Sequence, residues 1–70
     1  MTATTLIELP EPIVILRADA DGTFSVLCDE CGDVGVSADG LTRAEADERA
    51  AADMAYLNRR GFVPSLSIEA

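Results

Sequence analysis

Apolar and polar positions along the chain change their period twice, and those changes divide it into elements. Ile13-Val14-Ile15-Leu16-Arg17 is a continuous β-branched run of the kind expected for a strand covered on both faces. From Thr23 to Cys28 the pattern alternates, so Phe24, Val26 and Cys28 share one face while Thr23, Ser25 and Leu27 share the other. Between these runs Ala18-Asp19-Ala20-Asp21-Gly22 is turn material ending in Asp-Gly, which predicts a hairpin. Val34-Gly35-Val36-Ser37 reads as a short third strand, stopped by Asp39-Gly40 and joined to the second strand through Cys28-Asp29-Glu30-Cys31-Gly32.

Beyond Leu41 the period lengthens to that of a helix. Thr42-Arg43-Ala44-Glu45 is a capping box, in which the Thr hydroxyl and the Glu carboxylate satisfy backbone donors that the first turn leaves without partners. Leu41 precedes the cap and is placed to pack on Ala46 as a hydrophobic staple. The apolar stripe runs through Ala46, Ala50, Met54 and Leu57 with Ala51 beside it, and Glu45, Glu48, Arg49 and Asp53 mark wetter faces. Arg59 and Arg60 complement the negative end of the helix dipole, Gly61 suits a left-handed cap and Phe62 can fold back on Leu57. These signals predict a helix over about 43–60. Leu66 and Ile68 then alternate in a short strand at 65–69 that pairs within the chain or with a second copy. Upstream, Leu6-Ile7-Glu8-Leu9 is cut off by Pro10 and Pro12, which suit an edge or lead-in segment.

The expected architecture is therefore α+β: a three- to four-stranded antiparallel sheet (about 13–17, 23–28, 34–37 and 65–69) packed on one helix (about 43–60). Residues 1–70 form a single small domain, with 1–12 an extended lead-in and 62–70 a tail or short strand. At 70 residues the chain buries only about 60% of its unfolded surface, so a metal or a partner subunit is expected to add stability. Just 4% of residues are aromatic, and the core must be built from Val, Ile, Leu and Ala.

Thirteen acidic residues against five basic ones leave a net charge of −8, a field that repels phosphate and argues against direct nucleic-acid binding. Every basic residue is arginine, a usage expected of a GC-rich genome. No basic segment leading into an apolar run opens the chain, and no apolar run approaches the roughly 18 residues of a membrane span. The expected compartment is the cytoplasm, or the host cytoplasm for a phage-encoded chain.

Cys28-Asp29-Glu30-Cys31-Gly32 has the form of a zinc knuckle, in a sequence that holds no histidine and no third cysteine. A structural zinc takes four ligands, usually Cys or His, and one chain supplies two good ones. The succession of strand, Asp-Gly turn, strand ending in Cys-x-x-Cys-Gly, short strand and Thr-Arg-Ala-Glu-Ala helix resembles small zinc-finger-like proteins of actinobacteria and their phages. The resemblance covers roughly residues 13–60 and implies the fold. In that group the helix carries two histidines that complete the metal site, whereas this helix offers Asp47, Ala50, Ala51, Met54 and Ala55. Cys28 and Cys31 then hold a zinc shared with a second chain's pair, hold one with a helix carboxylate such as Asp47, or have become small apolar residues with no cofactor. Redox chemistry fits poorly, because Asp29 and Glu30 raise a thiol pKa where the thioredoxin motif needs it lowered.

Other chemistry is excluded more simply. Asp19-Ala20-Asp21-Gly22 does not align with a calcium loop, since counting Gly22 as the required sixth position puts Arg17 first and Cys28 twelfth. Without histidine no nucleophile and base pair can be named, so a non-enzymatic protein is expected. Two functional classes remain. One is a small acidic interaction module, expected to be homodimeric, that binds a protein partner through apolar sheet residues Val14, Leu16 and Leu27 and acidic residues Asp29, Glu30 and Glu48. The other is an acidic mimic of nucleic acid that occupies a DNA-binding protein through Asp29, Glu30, Asp33, Asp39, Glu45, Asp47, Glu48 and Asp53.

Overall fold

A computed structural model describes residues 11–30 and 32–69. Five elements follow in order: β1 (Ile13–Ala18), β2 (Phe24–Glu30), β3 (Asp33–Leu41), α1 (Arg43–Arg59) and β4 (Ser65–Glu69). They form a four-stranded sheet in the order β3-β2-β1-β4 with α1 packed on one face, an α+β fold.

Local chemistry explains each junction. In the first hairpin the Gly22 N–H donates to Asp19 O (3.2 Å), the Asp19 N–H donates to Thr23 O (2.9 Å), and Gly22 takes a left-handed φ of 87°. This is a three-residue loop of a turn followed by a left-handed glycine, and Asp21 steadies it by accepting from the Thr23 N–H and hydroxyl. Ser25, buried on the sheet face away from the helix, donates its hydroxyl to Asp19 and ties the loop back to β2. The capping box is formed in both directions, with Thr42 Oγ1 accepting from the Glu45 N–H and Glu45 Oε1 accepting from the Thr42 N–H. At the other end the Phe62 N–H donates to Leu57 O and the Gly61 N–H to Asn58 O, the paired bonds of a Schellman cap around Gly61 at φ 91°.

Period-two alternation sends Val14 and Leu16 of β1 and Phe24, Val26 and Cys28 of β2 towards the helix. There they meet Ala46, Ala50 and Leu57, with Leu41 and Met54 at the margin. Small side chains at 46 and 50 let the helix lie close on the sheet, and Leu57 fills the space at its far end. Ala51, expected beside the stripe, is exposed.

Two expectations are corrected. The sheet is mixed: β1 pairs antiparallel with β2 and β2 with β3, but β4 lies parallel to β1, with Val14 opposite Leu66 and Leu16 opposite Ile68. Two antiparallel steps make β3 run the same way as β1, and a helix that crosses back over the sheet returns the chain in the direction it left. A strand docking on β1 after such a crossover must be parallel to it. The third strand is also longer than 34–37, because it continues through Gly40 to Leu41. Its nine residues face seven on β2, and two register shifts, between Phe24 and Val26 and between Val26 and Leu27, absorb the excess as bulges. The apolar segment at 6–9 lies outside the described residues.

Replacing Thr42 by Ala removes one half of the capping box and is expected to lower stability by about 1 kcal/mol in urea denaturation. The pH dependence follows the same bond. Hydrogen bonds from Thr42 hold the Glu45 carboxyl below its usual range, so its stabilising share is present above the unfolded carboxyl pKa and fades as pH falls through the folded one. A pH titration of stability should show that acid-limb contribution in the wild type and lose it in Glu45→Gln.

Candidate functional site

The chemistry-bearing residues converge where the C-terminal half of α1 passes over the ends of β2 and β3. Cys28 pairs with Gly35, and Glu30 with Asp33, so these four share the helix-facing side of the sheet. Gly35 has no side chain, and among the described residues nothing lies within 4 Å of the position a Cβ would take. The opening it leaves is a groove of about 380 Å³, with Cys28, Gly35 and Leu57 among its apolar lining and Tyr56 as an aromatic wall. Glu30, Asp33 and Asp53 supply its carboxylates, and among the described residues no basic one lines it.

Asp53 is the residue that sequence reasoning missed. The helical pattern puts it on a wetter face, yet its side chain is only 22% exposed, with Oδ1 3.5 Å from Arg49 Nε. Its Oδ2 is shielded from solvent with no hydrogen-bond partner among the described residues. The signal was present: 53 falls between 50 and 57 at helical spacing, directly on the buried stripe. Arg49 is held in turn by Ser37, whose hydroxyl accepts from Nε at 2.9 Å and whose carbonyl accepts from Nη2 at 3.3 Å.

Burial first, then the charges of Glu30, Asp53 and Asp29, push the Cys28 thiol above its ordinary value of 9.0. That direction opposes a thiolate nucleophile and suits a small, partly buried apolar residue. Cys31 lies outside the described residues. Among those residues no group of three or more Cys, Asp or Glu is close enough to hold a metal ion, so Cys28 has no complete ligand set there. Asp47, considered as a helix ligand, is exposed and paired with Arg43 at 3.1 Å; the helix carboxylate beside Cys28 is Asp53.

The apolar contact residues expected on the sheet are corrected by the same geometry. Val14 and Leu16 face α1 and are fully buried, since the alternation of β1 leaves Ile13 and Ile15, both half-buried, on the other face. Leu27 does lie on that other face, but at 8% exposure it is shielded between its cross-strand neighbours Ile15 and Val36. None of the three is free to meet a partner. Among the described residues the exposed large apolar ones are instead Val34 and Val36 on β3, Leu66 and Ile68 on β4, and Tyr56, Phe62 and Val63 around the helix C-terminus. Of the acidic residues, Glu30 rims the groove, Asp29 accepts from the Gly32 N–H at 2.9 Å and so orders the β2–β3 turn, and Glu48 is exposed on α1.

No protein-family model matches the chain, and no curated protein or solved structure matches it either. The resemblance to zinc-finger-like proteins rests on the sequence motifs alone. Among the described residues no helix is long and apolar enough to cross a membrane.

The raised Cys28 pKa has a reactivity consequence. In a Cys31→Ser variant, Cys28 is expected to react with iodoacetamide more slowly than a cysteine in an unfolded peptide at pH 8, and to reach its maximal rate at higher pH. Because the folded pKa exceeds the unfolded one, the associated stability is complete below the unfolded thiol pKa and is lost as pH rises through the folded value.

Proposed function

We propose that this chain is a small non-enzymatic protein-interaction module that works as a homodimer joined through β4. The observation that carries the reading is the half-exposure of Leu66 (47%) and Ile68 (52%) on the helix-facing side of an edge strand. Both side chains extend the layer begun by Val14 and Leu16, but α1 packs on β1, β2 and β3 more than on β4 and leaves them about half exposed. The strand Ser65-Leu66-Ser67-Ile68-Glu69 carries no proline, lysine or bulge, the devices that normally protect an edge.

Its sequence is self-complementary. A two-fold axis at Ser67 in an antiparallel pair puts Leu66 of one chain opposite Ile68 of the other, and the reverse, so both apolar residues meet apolar residues. The strand is also the less acidic edge, with Glu69 as its one charge, which matters for a chain of net charge −8. Pairing would continue the sheet across both subunits and satisfy the backbone groups of β4 that pair with no other strand among the described residues.

Nucleic-acid mimicry is the weaker reading. Of the carboxylates it would present, Asp47 and Asp53 are matched with arginines and Glu45 is held in the capping box. Those groups are positioned by the helix and not for an external groove.

Native mass spectrometry of the chain purified without chelator tests the proposal. A metal-free dimer that Ile68→Asp converts to a monomer, with unchanged helical circular dichroism, is the expected result. A wild-type monomer would overturn it. A dimer carrying one zinc that Cys28→Ser removes would transfer the organising role to a metal shared between chains.

A further inference from the structure

The other edge of the sheet has different chemistry. From Asp33 to Val36, β3 keeps an unbroken register with β2, and its two bulges come only later in the strand. Among the described residues β3 is the terminal strand of the sheet, and no other strand pairs with the outer edge of this flat stretch. Val34 and Val36, on the face away from α1, are 52% and 59% exposed. On the helix-facing side the same stretch carries Asp33 and Gly35 and opens into the groove beneath Asp53 and Tyr56.

We propose that β3 receives an extended, basic segment of a partner protein as an added strand, with an arginine of that segment entering the groove beside Gly35. The inference rests on the interaction-module reading and names the partner's chemistry. An added strand alternates like any other, so the residue that lies opposite Gly35 points to the helix side and its two neighbours point to the side of Val34 and Val36. The recognised pattern is therefore apolar, arginine, apolar.

Charge and shape both select arginine for the central position. Glu30, Asp33 and Asp53 line the groove without a basic residue among the lining. The cations nearby are already engaged: Arg49 with Ser37 and with Oδ1 of Asp53, leaving Oδ2, and Arg60 with Tyr56, whose hydroxyl accepts from it at 3.3 Å and whose ring centroid lies 5.6 Å from its guanidinium. Asp53 Oδ2 has no partner among the described residues, and a guanidinium carries enough donors to serve it and a second carboxylate together. The apolar floor at Leu57 and Cys28 suits the aliphatic stem of the side chain. A charge of −8 over the whole chain would steer such a basic segment inward.

The test is a 15N-resolved NMR titration of the full chain with the peptide acetyl-Thr-Val-Arg-Val-Thr-amide and with its citrulline counterpart, which keeps the shape and removes the charge. The expected result is saturable shifts at the amides of Val34 to Val36, Cys28 and Tyr56, with the citrulline peptide bound about tenfold more weakly, as loss of a charge-assisted bond requires. Gly35→Leu fills the groove from a position with open space around it, and is expected to abolish binding while leaving the fold and the β4 dimer intact. Asp53→Asn should weaken the arginine peptide and not the citrulline one.

Equal binding of the two peptides, shifts confined to other surfaces, or no shifts at millimolar peptide would overturn the inference. Native mass spectrometry on the same samples separates the two levels of the argument. A dimer that ignores the peptide removes the groove assignment alone, whereas a monomer that ignores it removes the interaction module as well.

Discussion

One helix must serve four strands, and the rest of the structure follows from where it sits. A helix with its side chains is about 10 Å across and strands lie about 4.8 Å apart, so a single helix covers roughly two of them. Ala46 and Ala50 let α1 settle directly over Val14, Leu16 and Val26. That close seating puts the sheet's share of the core cluster, Val14, Leu16 and Val26, on β1 and β2. The cost falls on the edges, where Leu66 and Ile68 on one side stay about half exposed and the helix leaves an open groove over Gly35 on the other.

The two edges then diverge in character. β4 is apolar on its helix-facing side and has one charged residue; β3 has acidic residues at 33 and 39, valines on its outer face and bulges that twist its second half. A chain that repels itself electrostatically associates best where its charge is least dense, and attracts a basic partner where it is most dense. On this reading the acidic composition does more than keep the protein in solution. Under the proposed function it would separate a surface for self-association, on β4, from a surface for a second protein, on β3, at opposite ends of the same sheet.

Gly35 and Asp53 together make the groove what it is. The glycine removes a side chain opposite Cys28, and the aspartate occupies a stripe position where an apolar residue would otherwise have closed the space against Leu57. A carboxylate in that position is costly to bury without partners. Arg49, itself anchored on Ser37, offsets part of that cost through one oxygen and leaves the other without a bond among the described residues. Burial first, and then this negative field, push the Cys28 thiol above its ordinary pKa, which argues for a packing role at this end of the core.

The elements that depend on near neighbours were determined by the sequence itself. The Thr42 and Glu45 capping box, the Gly61 cap and the Asp21-Gly22 hairpin each close bonds within a few residues, so their chemistry is complete in the local segment. Alternation also assigned Val26 and Cys28 to a common face. Alternation states which residues share a face, however, and not which face is covered. Only the docked helix decided that Val14 and Leu16 are core and that Leu66 and Ile68 remain open. The parallel placement of β4 on β1 was likewise a tertiary outcome, because five residues after a helix carry no record of the strand they will join until the crossover returns them to the sheet. Whether Asp53 is a wet or a shielded carboxylate turned on the same long-range contact, since its neighbours across the groove lie some twenty residues away in the chain and are brought to it only by the packing of α1 on β2 and β3.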